Sequence, residues 1–135
     1  MRYKAGDTVY IKNGFLGKHF VEINAIGEDF YIVNCEIYKN SVKVATDDDI
    51  DIEISDTLNK CSDFELKLMQ KIEHKYKWIA KDKDGLVYVF QSKPEKEIGR
   101  WIDSKNVWAP VSKGYINLFP SILWSDEAPT YIVRL

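Results

Sequence analysis

With 135 residues, 45% apolar and 30% charged, the chain has the composition of a folded globular protein, long enough for one ordinary domain or two very small ones. No apolar run reaches the roughly 20 residues that cross a bilayer as a helix, and Arg2, Lys4, Asp7 and Lys12 break up any signal-peptide core, so a cytoplasmic chain with no membrane partner is expected. A net charge of −2 argues against a general polyanion binder, whose affinity rests on excess lysine and arginine, but leaves room for a local basic face.

Residues 4–53 read as short strands with closely spaced turn signals. After Gly6-Asp7, the segment Thr8–Lys12 places Val9 and Ile11 on one face, and Asn13-Gly14 and Gly17 end it. His19–Ile26 alternates Phe20, Glu22, Asn24 and Ile26 against Val21, Ile23 and Ala25, up to the turn Gly27-Glu28-Asp29. Phe30–Ile37 is a third strand, closed by Lys39-Asn40-Ser41, and Val42, Val44 and Ile50 carry a fourth. Short strands joined this tightly predict a small SH3-like barrel over residues 1–54. The opening Tyr3-Lys4-Ala5-Gly6-Asp7-Thr8-Val9-Tyr10-Ile11-Lys12 also resembles the start of small SH3-like domains in bacteriophage and prophage proteins. That likeness speaks to fold rather than to function.

Asp47, Asp48, Asp49, Asp51 and Glu53 form an acidic run interleaved with Ile50, Ile52 and Ile54. Alternation at period two predicts a strand edge with the isoleucines inward and the charges in solvent, where they discourage edge-to-edge pairing. The functional alternative is a cation site or an acidic surface that docks on a basic partner. Ser55–Tyr76 reads as one helix connecting two β parts. Ser62-Asp63-Phe64-Glu65 fits the capping box inside it, and Phe64, Leu68, Met69 and Ile72 make the stripe expected to cover a sheet.

The clearest hairpin signal is Trp78–Lys81 and Leu86–Phe90 around Asp82-Lys83-Asp84-Gly85, where Asp84-Gly85 tolerates the positive φ such a turn needs. Lys93–Glu97 then reads as a polar loop, because Pro94 argues against a central strand. Extended segments follow at Arg100–Ile102, Asn106–Ala109, Gly114–Phe119 and Tyr131–Leu135. The hairpin 78–88, the Lys93-Pro94 loop, Leu118-Phe119-Pro120 and Trp124–Pro129 resemble small uncharacterised phage and prophage proteins of Gram-positive bacteria. The resemblance implies a viral or mobile-element origin and carries over no functional residue.

Aromatic residues cluster after residue 75, including all four tryptophans, and serve either as core or, where exposed, as an interface or stacking platform. Cys35 and Cys61 read as small apolar fillers, and with only His19 and His74 besides they match no zinc spacing. No glycine-rich phosphate loop or nucleophile–base pattern stands out, so no catalytic residue, cofactor or metal is assigned.

The expected architecture is α+β and mostly β: an SH3-like barrel over 1–54, a connecting helix over 55–76 and an aromatic-rich antiparallel sheet over 77–135. The expected function is non-enzymatic binding of a bacterial host protein, such as inhibition of a defence-system component. Asp47, Asp48, Asp49 and Asp51 are the acidic candidates for contact, and Trp101 and Trp108 with Arg100 the aromatic ones. Two alternatives stand beside it. One is a nucleic-acid face of Tyr10, Tyr31, Lys12, Lys39 and Lys43. The other is a small-ligand pocket between the β parts lined by Trp78, Tyr88 and Trp108.

Overall fold

A computed structural model describes residues 2–15, 18–34, 42–111 and 117–134. The chain is mostly β and divides into two compact units, residues 1–59 and 60–135.

In the first unit β1 (Thr8–Phe15), β2 (Lys18–Ile26), β3 (Tyr31–Asn34) and β4 (Val42–Ala45) form an antiparallel meander in sequence order. The sheet is curled into a half-barrel. Period-two patterning decides its inner face, since Val9, Ile11, Val21, Ile23, Tyr31 and Val33 are all buried together. The alternation in β2 stops after Ile23, where the register with β3 slips and leaves both Ala25 and Ile26 exposed. A 3-10 helix over Asp47–Asp49 follows β4 and returns the chain to β1, where Ile50 bridges Ile11 and the Asp51 N–H donates to the Tyr10 carbonyl at 2.8 Å.

Helix α1 (Ile52–Lys60) then latches the free edge of β1. Ser55 Oγ accepts from the Tyr10 N–H at 2.9 Å, and the Asn59 amide both accepts from the Thr8 N–H and donates to its carbonyl. Side chains thereby satisfy edge groups that would otherwise invite another strand.

The expected acidic strand therefore does not form. Two of its aspartates, Asp49 and Asp51, bond the backbone at helix starts instead. Asp49 accepts from the Thr46 N–H and hydroxyl, and Asp51 accepts from the Ile54 N–H at 3.1 Å, the N-cap position of α1. Ile50 is buried, but Ile52 is exposed on the helix.

In the second unit the single expected helix over 55–76 is also corrected. The chain breaks at Cys61-Ser62 between α1 and α2 (Asp63–Met69), because Ser62 takes extended geometry and closes a capping box with Glu65 in both directions. The buried face of α2 is Glu65 and Met69, while Phe64 is 61% exposed. Glu65 is drawn inward by Ser121, whose N–H and hydroxyl both donate to its carboxylate. That rotates Phe64 of the expected stripe into solvent.

The hairpin β5 (Trp78–Lys81) and β6 (Val87–Phe90) pairs Trp78 with Phe90 and Lys81 with Val87. Its turn is a tight one closed by Gly85 N–H to the Asp82 carbonyl at 3.0 Å, with Gly85 at φ +91°. The short strands β7 (Glu95–Lys96) and β8 (Trp101–Ile102) make a second hairpin where a plain polar loop is expected at 93–97. β9 (Trp108–Pro110) pairs with β6, and β10 (Thr130–Tyr131) with β5, giving the order β10-β5-β6-β9. The final strand is thus shorter than Tyr131–Leu135; of the segment expected at Gly114–Phe119, residues 114–116 lie outside the described residues, as does Cys35, and 117–119 form no strand.

This sheet is covered on both faces, which explains the unbroken apolar run in β5. Ile79 and Val89 join a cluster with Met69, Phe119, Ile122 and Ile132, while Trp78, Ala80 and Phe90 join a second with Trp101. Cys61 is a free, buried thiol in the first of these, and burial, with Glu65 nearby, pushes its pKa up to about 12. It is a packing residue. No helix among the described residues is long and apolar enough to cross a membrane.

Candidate functional site

A cleft of about 170 Å3 opens on the Trp101 side of the second sheet. Three stretches of chain build it. Tyr88 and Phe90 point to this face from β6 by strand alternation, with Asp82 at the turn that precedes the strand. Arg100, Trp101 and Ile102 come from the β7–β8 hairpin, and Asp103, Asn106 and Trp108 from the connection into β9.

Backbone hydrogen bonds to two carboxylates hold these stretches together. Asp82 Oδ1 accepts from the Trp101 N–H at 2.9 Å, and the Trp101 indole donates to the Lys81 carbonyl at 3.0 Å. Asp103, 3% exposed, accepts from the N–H groups of Ser92 and Lys105 through its two oxygens. It locks the 103–106 turn, whose last residue, Asn106, sits at φ +55°, a conformation asparagine adopts more readily than most residues. Asp103 is therefore a scaffold for the site. Asp82 still has Oδ2 without a hydrogen bond among the described residues.

The electrostatics of the floor are negative. Burial raises the Asp82 carboxyl above its ordinary range, the Trp101 N–H pulls it back, Asp84 raises it further and Arg100 opposes that more weakly. The Tyr88 phenol is raised as well, by burial first and then by Asp82 and Asp84. The Arg100 guanidinium is exposed and makes no hydrogen bond or ion pair among the described residues.

The expected aromatic contact residues are brought together, though in different roles. Trp108 is 50% exposed and meets Tyr88 edge to face at 5.4 Å, so it is an open wall of the cleft. Trp101 is only 5% exposed, with Lys96 lying over its ring at 5.1 Å. It supports the cleft from beneath and is not an exposed anchor. Of the expected pocket residues, Tyr88 and Trp108 line this cleft and Trp78 does not; Trp78 is buried against Tyr131 with Lys93 over its ring.

The acidic candidates are placed elsewhere, at the helix starts of the first unit. Asp47 Oδ1 accepts from the Tyr31 hydroxyl at 2.5 Å, Asp49 and Asp51 bond their own backbone, and Asp48 alone is exposed with no bond among the described residues. Tyr31 is a correction to the expected nucleic-acid face. It is fully buried, and its hydroxyl also accepts from the N–H groups of Arg2 and Tyr3. Tyr10 and Lys12 remain on the outer side, Tyr10 stacked on His19 at 4.8 Å. Lys43 is exposed but pairs with Val33, whose side chain belongs to the inner face, and Lys39 lies outside the described residues. No group of three or more His, Cys, Asp or Glu side chains among the described residues is placed to hold a metal.

Asp82, Asp103 and Asn106 escape sequence reading as site residues because each looks like turn chemistry. The available signal was an aspartate immediately after a strand, at the start of a glycine-containing turn, where the side chain is free to reach a neighbouring backbone. None of the protein-family models, curated proteins or solved structures compared with the chain matches it.

Proposed function

We propose that the chain is a non-enzymatic binding protein that takes a side chain of a protein partner into the Tyr88–Trp108 cleft. The observation that carries this is size combined with an open indole. At about 170 Å3 the cleft falls below the roughly 300–1,000 Å3 of sites that bury whole cofactors or drug-sized ligands, yet suits a single side chain. A half-exposed tryptophan on such a rim is the residue type that dominates interface energetics.

The partner is taken to be a bacterial host protein, such as a defence-system component that the chain inhibits in the cytoplasm. This rests on the resemblance of residues 78–88 and 124–129 to phage proteins. The first unit is read as an SH3-like barrel. Its meander, the 3-10 helix and the return of Ile50 to β1 support that reading. Asp47, Asp49 and Asp51 are already engaged in backbone or hydroxyl bonds, which favours the aromatic cleft over the acidic run as the docking point.

The test is affinity capture from bacterial lysate with the whole chain, Trp108→Ala and Asp48→Ser side by side, quantified by mass spectrometry. A stoichiometric protein held by the wild type and Asp48→Ser, but lost with Trp108→Ala, is expected. Equal retention by Trp108→Ala removes the cleft from the interface. Nucleic acid that washes off with salt would move the function to the Tyr10–Lys12 face.

A further inference from the structure

Three of the four tryptophans in this protein already carry a cation. Lys93 lies over Trp78 at 5.2 Å, and Lys96 lies over both Trp101, at 5.1 Å, and Trp124, at 4.3 Å. Lys96 is held there by donating to the carbonyls of Trp124 and Asp126. Among the described residues Trp108 has no such partner, and it is also the most exposed of the four indoles. An indole face attracts a cation through its quadrupole, and the attraction grows as water is removed.

The charge beside Trp108 has the matching sign. Two carboxylates and one guanidinium line the cleft, Asp82 and Asp103 against Arg100. Asp82 keeps one carboxylate oxygen unbonded among the described residues. At the Asp82 carboxyl the negative charge of Asp84 outweighs the positive charge of Arg100, and the Tyr88 phenol responds to Asp82 and Asp84. A negatively polarised floor under aromatic walls disfavours a carboxylate or phosphate and favours a positive group.

Resting on the reading of the cleft as the docking point, we propose that the side chain it accepts is cationic, a lysine or arginine of the protein partner, seated on Trp108 and Tyr88 with Asp82 Oδ2 as its counter-charge. Arg100 on the same rim then acts against the ligand, and it selects partners that present one positive group rather than a dense basic patch.

The experiment is an NMR titration of the nitrogen-labelled whole chain, following the Trp108 indole N–H. The probes are N-acetyl-lysine methylamide, N-acetyl-arginine methylamide, N-acetyl-glutamate methylamide and inorganic phosphate. A saturable shift with the lysine or arginine probe is expected, weakened about fivefold in Asp82→Asn, the size of one partly exposed cation–π or ion-pair contact. Asparagine keeps the oxygen that accepts from the Trp101 N–H, so the hairpin contact survives. Asp84→Asn, which keeps its acceptor for the Leu86 N–H, shifts the affinity in the same direction. Arg100→Gln tightens the cationic probes about twofold, a gain that loss of structure cannot imitate.

A shift with glutamate or phosphate that weakens in Arg100→Gln overturns the proposal, and so does silence with every probe. Trp108-dependent capture of a protein together with anion-selective shifts would leave the docking reading in place and overturn the cationic ligand alone. Loss of Trp108-dependent capture overturns both.

Discussion

Glu65 is fully buried, so its carboxylate survives only because three donors surround it. Burial would raise its pKa, but bonds from the Ser121 hydroxyl and N–H and from Ser62 win and hold it below the ordinary carboxylate range. A carboxyl depressed in the folded state contributes stability that is present above the unfolded value, about 4.3, and is lost as pH falls through the folded one. Glu65→Gln is expected to cost about 2 kcal/mol at neutral pH, because an amide nitrogen cannot accept the bonds one carboxylate oxygen takes. The variant should also lose less stability than the wild type between pH 5 and pH 3. Urea melts followed by far-ultraviolet circular dichroism at both pH values check this. The tryptophans give a second test at this scale. Trp101→Ala removes a buried ring and its bond to Lys81 and should cost about 3–5 kcal/mol, whereas Trp108→Ala should cost under about 1 kcal/mol. Equal losses in the same melts would contradict the assigned roles.

At the scale of elements, the β5–β6 hairpin and the acidic run show local chemistry with opposite outcomes. Gly85 sits at φ +91° with no atom within 4 Å of the place a Cβ would take. Gly85→Ala therefore pays only for backbone strain, about 1–2 kcal/mol, and Gly85→Asn should recover part of it. Thermal melts of the pair separate strain from crowding. At Gly27 the φ is ordinary, but a Cβ would meet the Phe30 ring at 2.4 Å, so the glycine there answers to packing. In the acidic run the alternation of isoleucine and aspartate is real, yet capping prevails. An aspartate side chain that accepts a backbone N–H stabilises a helix start by about 1 kcal/mol, and Asp49 and Asp51 both do so. The period-two pattern was accurate as a count and misleading as a fold signal, because Ile52 and Ile54 fall on a helix.

For the molecule as a whole, each compact unit owns an apolar cluster. The first gathers Val9, Ile11, Val21, Ile23, Tyr31 and Val33, and the second is built on both faces of the β5–β6 ribbon. A segment with its own core is able to fold by itself. Residues 60–135 produced alone should give a cooperative thermal transition and retain the near-ultraviolet dichroism of ordered tryptophans. A fragment without either signal would show that the second core is incomplete without residues 1–59. The cleft lies within residues 82–108, so the fragment should also keep the Trp108 indole resonance where the full chain has it.

The sequence alone determined what rests on neighbours a few residues apart: the inward Val9 and Ile11 of β1, the alternation of β2 as far as Ile23, the β5–β6 hairpin with its Gly85 turn and the Ser62–Glu65 capping box. Strand alternation, caps and tight turns are short-range physics, so spacing is enough to read them. Only the tertiary structure decided which tryptophan is open, which face of α2 is inward and whether Tyr31 is a surface or a core residue. Each of those depends on a partner far along the chain. Glu65 is turned by Ser121, 56 residues away, Trp101 is buried by its bonds to Lys81 and Asp82, and Tyr31 is capped by Arg2, Tyr3 and Asp47. Burial is a property of the assembled surroundings, and the cleft exists because residues 82–90 and 100–108 converge on one face of a sheet.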